Sequence, residues 1–464
     1  MDSSVKRRLT LGFISNWISR LASTIIQLVQ VPVFLHFWAV PVYGEWMILN
    51  SIPAYLSFSN IGFGSVAGNE MTMMVAREDR QGALRVFQSC WWLIAIICTA
   101  VIALLSIVLY YIPAARLLKI HYIGRDDAKW IIFYLGIAVM LGQFEQLLQS
   151  AYRCIGRYPY GSFVKSIMSL SAFGCMILSV AFGAGPRITA LVFAAANVTG
   201  TVFLCTMVKR DIPWIEFGWR HARFSEIRGL ARPAIAFMGF PIGNALSLQG
   251  TLLAVGYALG PTAVVVFGTA RTVSRVALQM VSMVNTTFEP EMSIAYGAGN
   301  LPLVRSLLRR ACQFALIVAF ITVFAMMLGG PWFLHHWTGG HVPPSRTLLD
   351  ILLGVVILYA LWSTSSVLMT STNQHQRLAT YYVIGTGLAC TVAYFFARWF
   401  GLYGAAASLL ISEIVMNLYV LPASLRISQD NFSAFLASML HYPQSLRPAA
   451  LLARIRRSSP GYES

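Results

Sequence analysis

Charge is what this sequence has least of. Only 11 % of its 464 residues are Asp, Glu, Lys or Arg, less than half of the roughly 25 % found in soluble chains. Acids are the scarcer sign, 17 against 34 Lys and Arg. A water-facing surface cannot be assembled from so few charges, which excludes a soluble enzyme. The 57 % share of hydrophobic residues excludes intrinsic disorder. No CxxC occurs among the seven cysteines, which lie scattered and mostly inside apolar runs. They read as small buried hydrophobes, and a disulfide scaffold is excluded. A Gly-rich phosphate loop of the Walker type and a nucleophile elbow are also missing, which argues against an ATP-driven pump within the chain. His335, His336 and His341 cluster in a Gly- and Pro-bearing loop without a nearby acid or Cys, so no metal site is expected there.

Long apolar runs are what the chain does have. A hydrocarbon core about 30 Å thick is crossed by about 20 mostly apolar helical residues. Twelve stretches qualify: 11–38, 42–66, 88–112, 129–151, 161–184, 188–208, 232–256, 262–287, 308–333, 347–371, 379–398 and 401–423. The first is too long for a signal-peptide core. Pro32, Pro53, Gly239, Pro241 and Gly243 fall inside spans, where neighbouring helices or a wet cavity can satisfy freed backbone groups. The expected fold is an all-α polytopic membrane protein. With both termini inside, the inner loops and tail collect 24 Lys and Arg and the outer loops 7. That asymmetry places the termini in the cytoplasm and explains the net charge of +17 without nucleic acid.

Asn69-Glu70-Met71 returns as Pro290-Glu291-Met292, 221 positions on, and Arg85 returns as Arg305, 220 positions on. Two copies of a six-helix unit are expected, in the same orientation and related by an axis along the membrane normal. The domains are then a bundle over 1–208, a basic cytoplasmic linker over 209–231, a second bundle over 232–424 and a cytoplasmic tail over 425–464. In that tail Phe432, Phe435, Leu436, Met439 and Leu440 share a helix face, followed by Arg447, Arg454, Arg456 and Arg457. This predicts an amphipathic helix lying on an anionic inner leaflet.

Three spans carry polar stripes at helical spacing. The first has Asn16, Arg20, Ser23, Gln27 and Gln30, the fourth has Gly142, Glu145, Gln146, Gln149 and Tyr152, and the eighth has Arg271, Arg275, Gln279 and Ser282. An Arg at mid-bilayer costs at least about 2.5–3.5 kcal/mol, so these stripes are expected to line a hydrated cavity between the halves. They could also pair among themselves, for instance Arg271 or Arg275 with Glu145. Three intramembrane arginines nevertheless face only two deep acids, Glu145 and Glu413. The surplus suits an anionic ligand, and Arg grips phosphate in fork geometry. Glu145 and Glu413 are candidates for a proton or cation relay. Glu45, Glu289 and Asp350 lie near span ends, where snorkelling or capping explains them. Neither a catalytic residue nor a cofactor site is expected.

The run Val31-Pro32-Val33-Phe34-Leu35, then Val42-Tyr43-Gly44-Glu45-Trp46, Ser51-Ile52-Pro53-Ala54-Tyr55-Leu56-Ser57 and Asn60-Ile61-Gly62-Phe63-Gly64 resembles the polysaccharide transporter family. These are bacterial flippases for O-antigen, capsule and exopolysaccharide units, within the multidrug/oligosaccharidyl-lipid/polysaccharide exporter superfamily. The resemblance is sharpest over residues 10–90. It implies two six-helix bundles in a MATE-like V in the bacterial inner membrane, alternating their opening between cytoplasm and periplasm. It also implies a polyprenyl-diphosphate-linked oligosaccharide as cargo and polysaccharide polymerase machinery as a partner. Arg20 and Arg271 match cavity arginines on the first and eighth helices of related lipid-linked precursor flippases. In such a carrier Gln27, Gln146, Gln149 and Gln279 would hydrogen-bond sugar hydroxyls. The alternative is a cation-coupled multidrug exporter of the same superfamily, against which stands a first helix with Arg20 and no acid. A membrane polymerase or ligase would want a large outer loop, which the sequence does not offer.

Overall fold

A computed structural model describes residues 24–57, 63–227, 239–371 and 375–440. The described residues form helices α1 (Thr24–Phe37), α2 (Val40–Leu56), α3 (Phe63–Ala76), α4 (Arg80–Tyr111), α5 (Ala114–Leu117), α6 (Arg125–Cys154), α7 (Tyr158–Ala181) and α8 (Pro186–Asp211). The second half continues with α9 (Gly239–Leu259), α10 (Pro261–Gly297), α11 (Leu301–Trp337), α12 (Arg346–Ser371), α13 (His375–Ser428) and α14 (Phe432–Leu440). Nine of these are long and apolar enough to cross a membrane. The chain is a multi-pass membrane protein, all-α, built from two similar halves.

Each predicted span has a helical counterpart. The span at 42–66 is divided between α2 and α3, and the last two spans are the limbs of α13 on either side of Gly401, whose φ of 62° breaks the helix. Several helices outrun their apolar cores. α10 reaches Gly297 and α11 begins at Leu301, so Glu289, Glu291, Arg305, Arg309 and Arg310 stand on helical extensions. A helix already nucleated in the hydrocarbon adds one hydrogen bond per further residue and runs on until a cap or glycine stops it.

Those stops repeat. Before α4, Glu78 sits at φ 66° and Asp79 at φ −83°, ψ 74°, with the Asp79 carboxylate accepting the Gly82 amide at 2.7 Å. Before α11, 221 positions later, Gly299 sits at φ 69° and Asn300 at φ −83°, ψ 73°, its side chain accepting the Leu303 amide at 3.1 Å. The backbone bonds match too: Asp79 N donates to Met74 O, and Asn300 N to Ala295 O, both at 3.0 Å. The sequence repeat is thus carried down to turn geometry and the N-cap residue type.

The two halves close on each other at one end of the bundle. α2 packs against α9 and α10 in one core that joins Phe34, Trp46 and Leu49 to Val255, Val264 and Phe267. A methyl group on Gly44 would overlap the Pro261 carbonyl, so only glycine lets these backbones meet. Near this end Lys119 Nζ donates to Tyr257 O at 3.0 Å, and Trp337 Nε1 donates to Leu28 O at 2.7 Å. Glu45, fully buried, accepts the backbone amides of His121, Tyr122 and Ile123 and so straps the 113–124 turn onto α2.

The tail helix packs on the bundle by one side. Phe435 is 2 % exposed and fills a core with Met292, Leu308 and Leu368, whereas Phe432 and Leu436 point outward. Arg309 grips Asp430 with two hydrogen bonds, at 2.8 and 2.5 Å, Arg305 Nε donates to Ser428 O, and Gln313 to Ser438 O. α14 is therefore docked on α11. The linker is likewise tied down, with Gln88 donating to Glu216 O and accepting from His221 N, and Ser89 accepting from Arg223 N. The basic tail beyond residue 440 lies outside the described residues.

Candidate functional site

Inside the second half a cavity of about 260 Å³ opens between α9, α10, α12 and both limbs of α13. Arg271, Arg275, Gln279 and Ser282, one stripe of α10, form one wall, with Asn244 and Ser247 of α9, Tyr359 of α12, and Tyr382 and Glu413 of α13 around them. The guanidiniums stand one turn apart on the same helix face. The predicted stripe of the eighth span therefore does face a cavity. Among the described residues the lining belongs to the second half. The first half still reaches the edge of the site, where Thr24 Oγ1 donates to Gln279 Oε1 at 3.2 Å.

Arg271 is held by an irregularity. α9 widens into a π-turn over Leu246–Gly250. Arg271 Nη1 donates to Leu248 O at 3.3 Å and Nη2 to Ser247 Oγ at 3.1 Å, both within this turn. A π-turn misaligns the regular carbonyl ladder and leaves groups for other partners. Its sequence sign is the run of helix-weakening residues Gly239, Pro241, Gly243 and Gly250, which by itself reads only as tolerated irregularity. Arg275 makes no hydrogen bond to a described residue. Among the described residues no carboxylate lies within 4.0 Å of either guanidinium. Glu413 shares the cavity but is engaged elsewhere, accepting Trp362 Nε1 at 2.5 Å and Ser412 Oγ at 3.2 Å.

Glu145 does not pair with either arginine. It lies in the first half, 3.9 Å from Lys165 Nζ and 3.3 Å from Thr201 Oγ1. Lys165, counted with the inner loops from sequence, belongs to α7 and supplies the compensating charge. One of the two deep acids is therefore spent within the first half, and the second-half cavity holds two guanidiniums against one carboxylate. Gln146 packs toward Gly64 of α3, while Gln27 and Gln149 are half-buried and line neither this cavity nor the one in the first half. Arg20, Asn16 and Ser23 lie outside the described residues. So the cavity gathers Arg271, Arg275, Gln279 and Glu413, and Glu145, Gln146, Gln149 and Gln27 are not among its described lining residues. Ser247, Tyr359, Trp362 and Tyr382 are site residues that spacing alone did not indicate. Among the described residues no group of three His, Cys, Asp or Glu side chains is placed to hold a metal ion.

A cavity of this kind can attract an anion into a membrane-spanning bundle, hold it by charge-assisted hydrogen bonds and orient it through amides and phenols. The chain matches no protein-family model and no curated protein. Among solved structures it is similar to a multidrug resistance MATE family transporter of the MOP superfamily in its inward-facing conformation. That match has TM-score 0.69 and 15 % identity, over 89 % of this chain and 99 % of that one. It is similar to the lipid II flippase MurJ, inward closed, with TM-score 0.69 and 13 % identity over 97 % and 94 % of the two chains. An outward-facing MATE structure superposes less well, with TM-score 0.52 and 16 % identity over 93 % and 94 %. The fold is thus the one shared by MATE transporters and MurJ.

Proposed function

We propose that the protein is an alternating-access flippase. Its cargo is a polyprenyl-diphosphate-linked oligosaccharide, an O-antigen, capsule or exopolysaccharide precursor, carried from the cytoplasmic to the periplasmic leaflet of a bacterial inner membrane. The observation that carries this reading is the pair Arg271 and Arg275, side by side in a cavity with no carboxylate of the described residues within ion-pairing distance. Two guanidiniums sharing a cavity with the single carboxylate of Glu413 leave a positive surplus that is costly inside a bilayer, and a diphosphate repays it with bidentate bonds. The MurJ-like fold supports a lipid-linked cargo, and the resemblance over residues 10–90 supports a polysaccharide precursor. Positive loops on one side support cytoplasmic termini, so the closed end at Gly44 and Pro261 would face the periplasm, with the cavity reached from the cytoplasm. The chemistry is transport, with no bond made or broken, and polymerase machinery would receive the product.

The test is a vesicle assay with purified protein. A fluorescent polyprenyl-diphosphate sugar should become accessible to a membrane-impermeant quencher on the far leaflet, and Arg271→Ala with Arg275→Ala should abolish the movement. Unchanged flipping by the double variant refutes the assignment. One observation favours a second reading: Glu413, a carboxylate in the same cavity, is what a cation-coupled multidrug exporter needs. Ion-gradient-driven efflux of a cationic dye, lost on Glu413→Gln and kept in the arginine variants, would establish that reading instead.

A further inference from the structure

A second cavity, about 190 Å³, lies within the first half between α1, α2, α6, α7 and α8. Its chemistry is unlike that of the first. Its polar lining is Gln30, Asn50, Ser169 and Asn197, with no ionisable group among the lining residues. Amides and hydroxyls both donate and accept hydrogen bonds. The remaining wall includes the aromatic rings of Trp46, Phe173 and Phe193. Trp46 is 2 % exposed and braced by Trp38, 5.4 Å away between ring centroids, yet its Nε1–H is buried without an acceptor.

The two cavities occupy related places in the repeat. Asn50 precedes Arg271 by 221 positions, the same offset that separates the Glu78 and Gly299 turns. Asn197 on the last helix of the first half lines one cavity as Glu413 on the last helix of the second half lines the other. At the position shared by Asn50 and Arg271 the first half carries an amide and the second a charge.

We propose that the first-half cavity is a subsite for one neutral sugar ring. Sugar hydroxyls are both donors and acceptors, as the amides require, and the C–H faces of a pyranose lie well on aromatic rings. An ion has no counter-charge there, and burying one uncompensated is strongly unfavourable. The volume is below the roughly 300–1,000 Å³ of pockets for drug-sized ligands, which leaves room for a single ring. This inference rests on the reading that the cargo bears sugar, and it divides the cargo between the halves, glycan to the first and diphosphate to the second.

The experiment is saturation-transfer NMR on the full-length protein in nanodiscs with glucose, galactose, rhamnose and N-acetylglucosamine, alongside calorimetric titration with pyrophosphate. At least one sugar should give a signal that falls at least fivefold in Asn50→Ala with Asn197→Ala and persists in Arg271→Ala. Gln30→Ala, which removes one lining amide on α1, should weaken it at least twofold and covers a double variant that misfolds. Pyrophosphate binding should show the opposite dependence. Absence of a sugar signal from the wild type, or signals untouched by both sets of variants, means a hydrated pocket only and overturns the subsite. If sugars bind as expected and pyrophosphate does not bind at all, the diphosphate reading falls and the sugar subsite stands.

Discussion

Lys165 Nζ lies 3.9 Å from Glu145 Oε2, joining α7 to α6 within the first half. The pair removes from consideration the acid that spacing alone would have offered to the arginines. Thr201 adds a hydrogen bond to the same carboxylate. Lys165→Met should leave Glu145 buried and unmatched, lowering stability by about 1–3 kcal/mol, less than a fully enclosed pair because the ammonium is a third exposed. Combining it with Glu145→Leu should restore most of the loss. Thermal unfolding in detergent reads both, and a double variant no better than the single one would show that the pair does not act as a unit.

The cavity pair gives a second expectation. Arg271→Lys preserves charge but replaces a planar fork by a compact ammonium, which cannot make both the Leu248 and Ser247 contacts in the same geometry. Flipping of a diphosphate lipid should fall at least tenfold, and further in Arg271→Ala. Ser247→Ala, which frees one guanidinium contact without removing charge, should change the rate by less than Arg271→Lys. The vesicle assay separates the three.

How much of this was legible beforehand depends on the kind of signal. The helical stripe of Arg271, Arg275 and Gln279 was readable because a 3.6-residue period puts these residues on one face whatever the tertiary structure. The partner of Glu145 was not readable, since Lys165 sits at the start of an apolar span and counts equally well as a loop cation. Nor was the π-turn over Leu246–Gly250, because Gly and Pro in a membrane helix announce irregularity without its type. Nor was the packing of α14. Phe432, Phe435 and Leu436 fall on one side of a helical wheel, but docking on α11 buries only Phe435.

Docking of the tail helix rests on one buried acid. Asp430 is 3 % exposed and bound bidentately by Arg309. Arg309→Ala strands that carboxylate, at about 1–3 kcal/mol for a hydrogen bond to a charged group. Hydrogen exchange over 432–440 should speed up at least tenfold while α6 and α7 keep their protection. Equal acceleration everywhere would mean global loosening instead of undocking.

Closure at one end depends on bare backbone. Because a Cβ on Gly44 would overlap the Pro261 carbonyl, Gly44→Val should push α2 away from α10 and favour the conformer open at that end. Spin labels placed on the 113–124 turn and on α9 near Tyr257 should report a longer distance by pulsed resonance, with the Lys119–Tyr257 hydrogen bond of 3.0 Å broken. An unchanged distance would show that the helices adjust without opening.

The repeated turn offers an internal control that few chains provide. Glu78 and Gly299 hold the same left-handed conformation, φ 66° and 69°, ahead of the same N-cap geometry. A side chain at positive φ is strained, and glycine is not. Glu78→Gly should therefore stabilise the protein by about 1 kcal/mol, and Gly299→Ala should destabilise it by a similar amount. Asp79→Ala and Asn300→Ala should each cost about 1 kcal/mol through the lost cap. Equal and opposite effects at the two turns, measured by denaturant unfolding in detergent, would mean that the halves obey one local rule and that their functional difference resides in the cavity residues. Unequal effects at the caps, with equal effects at the positive-φ positions, would instead place a difference in stability at the start of α4 and α11.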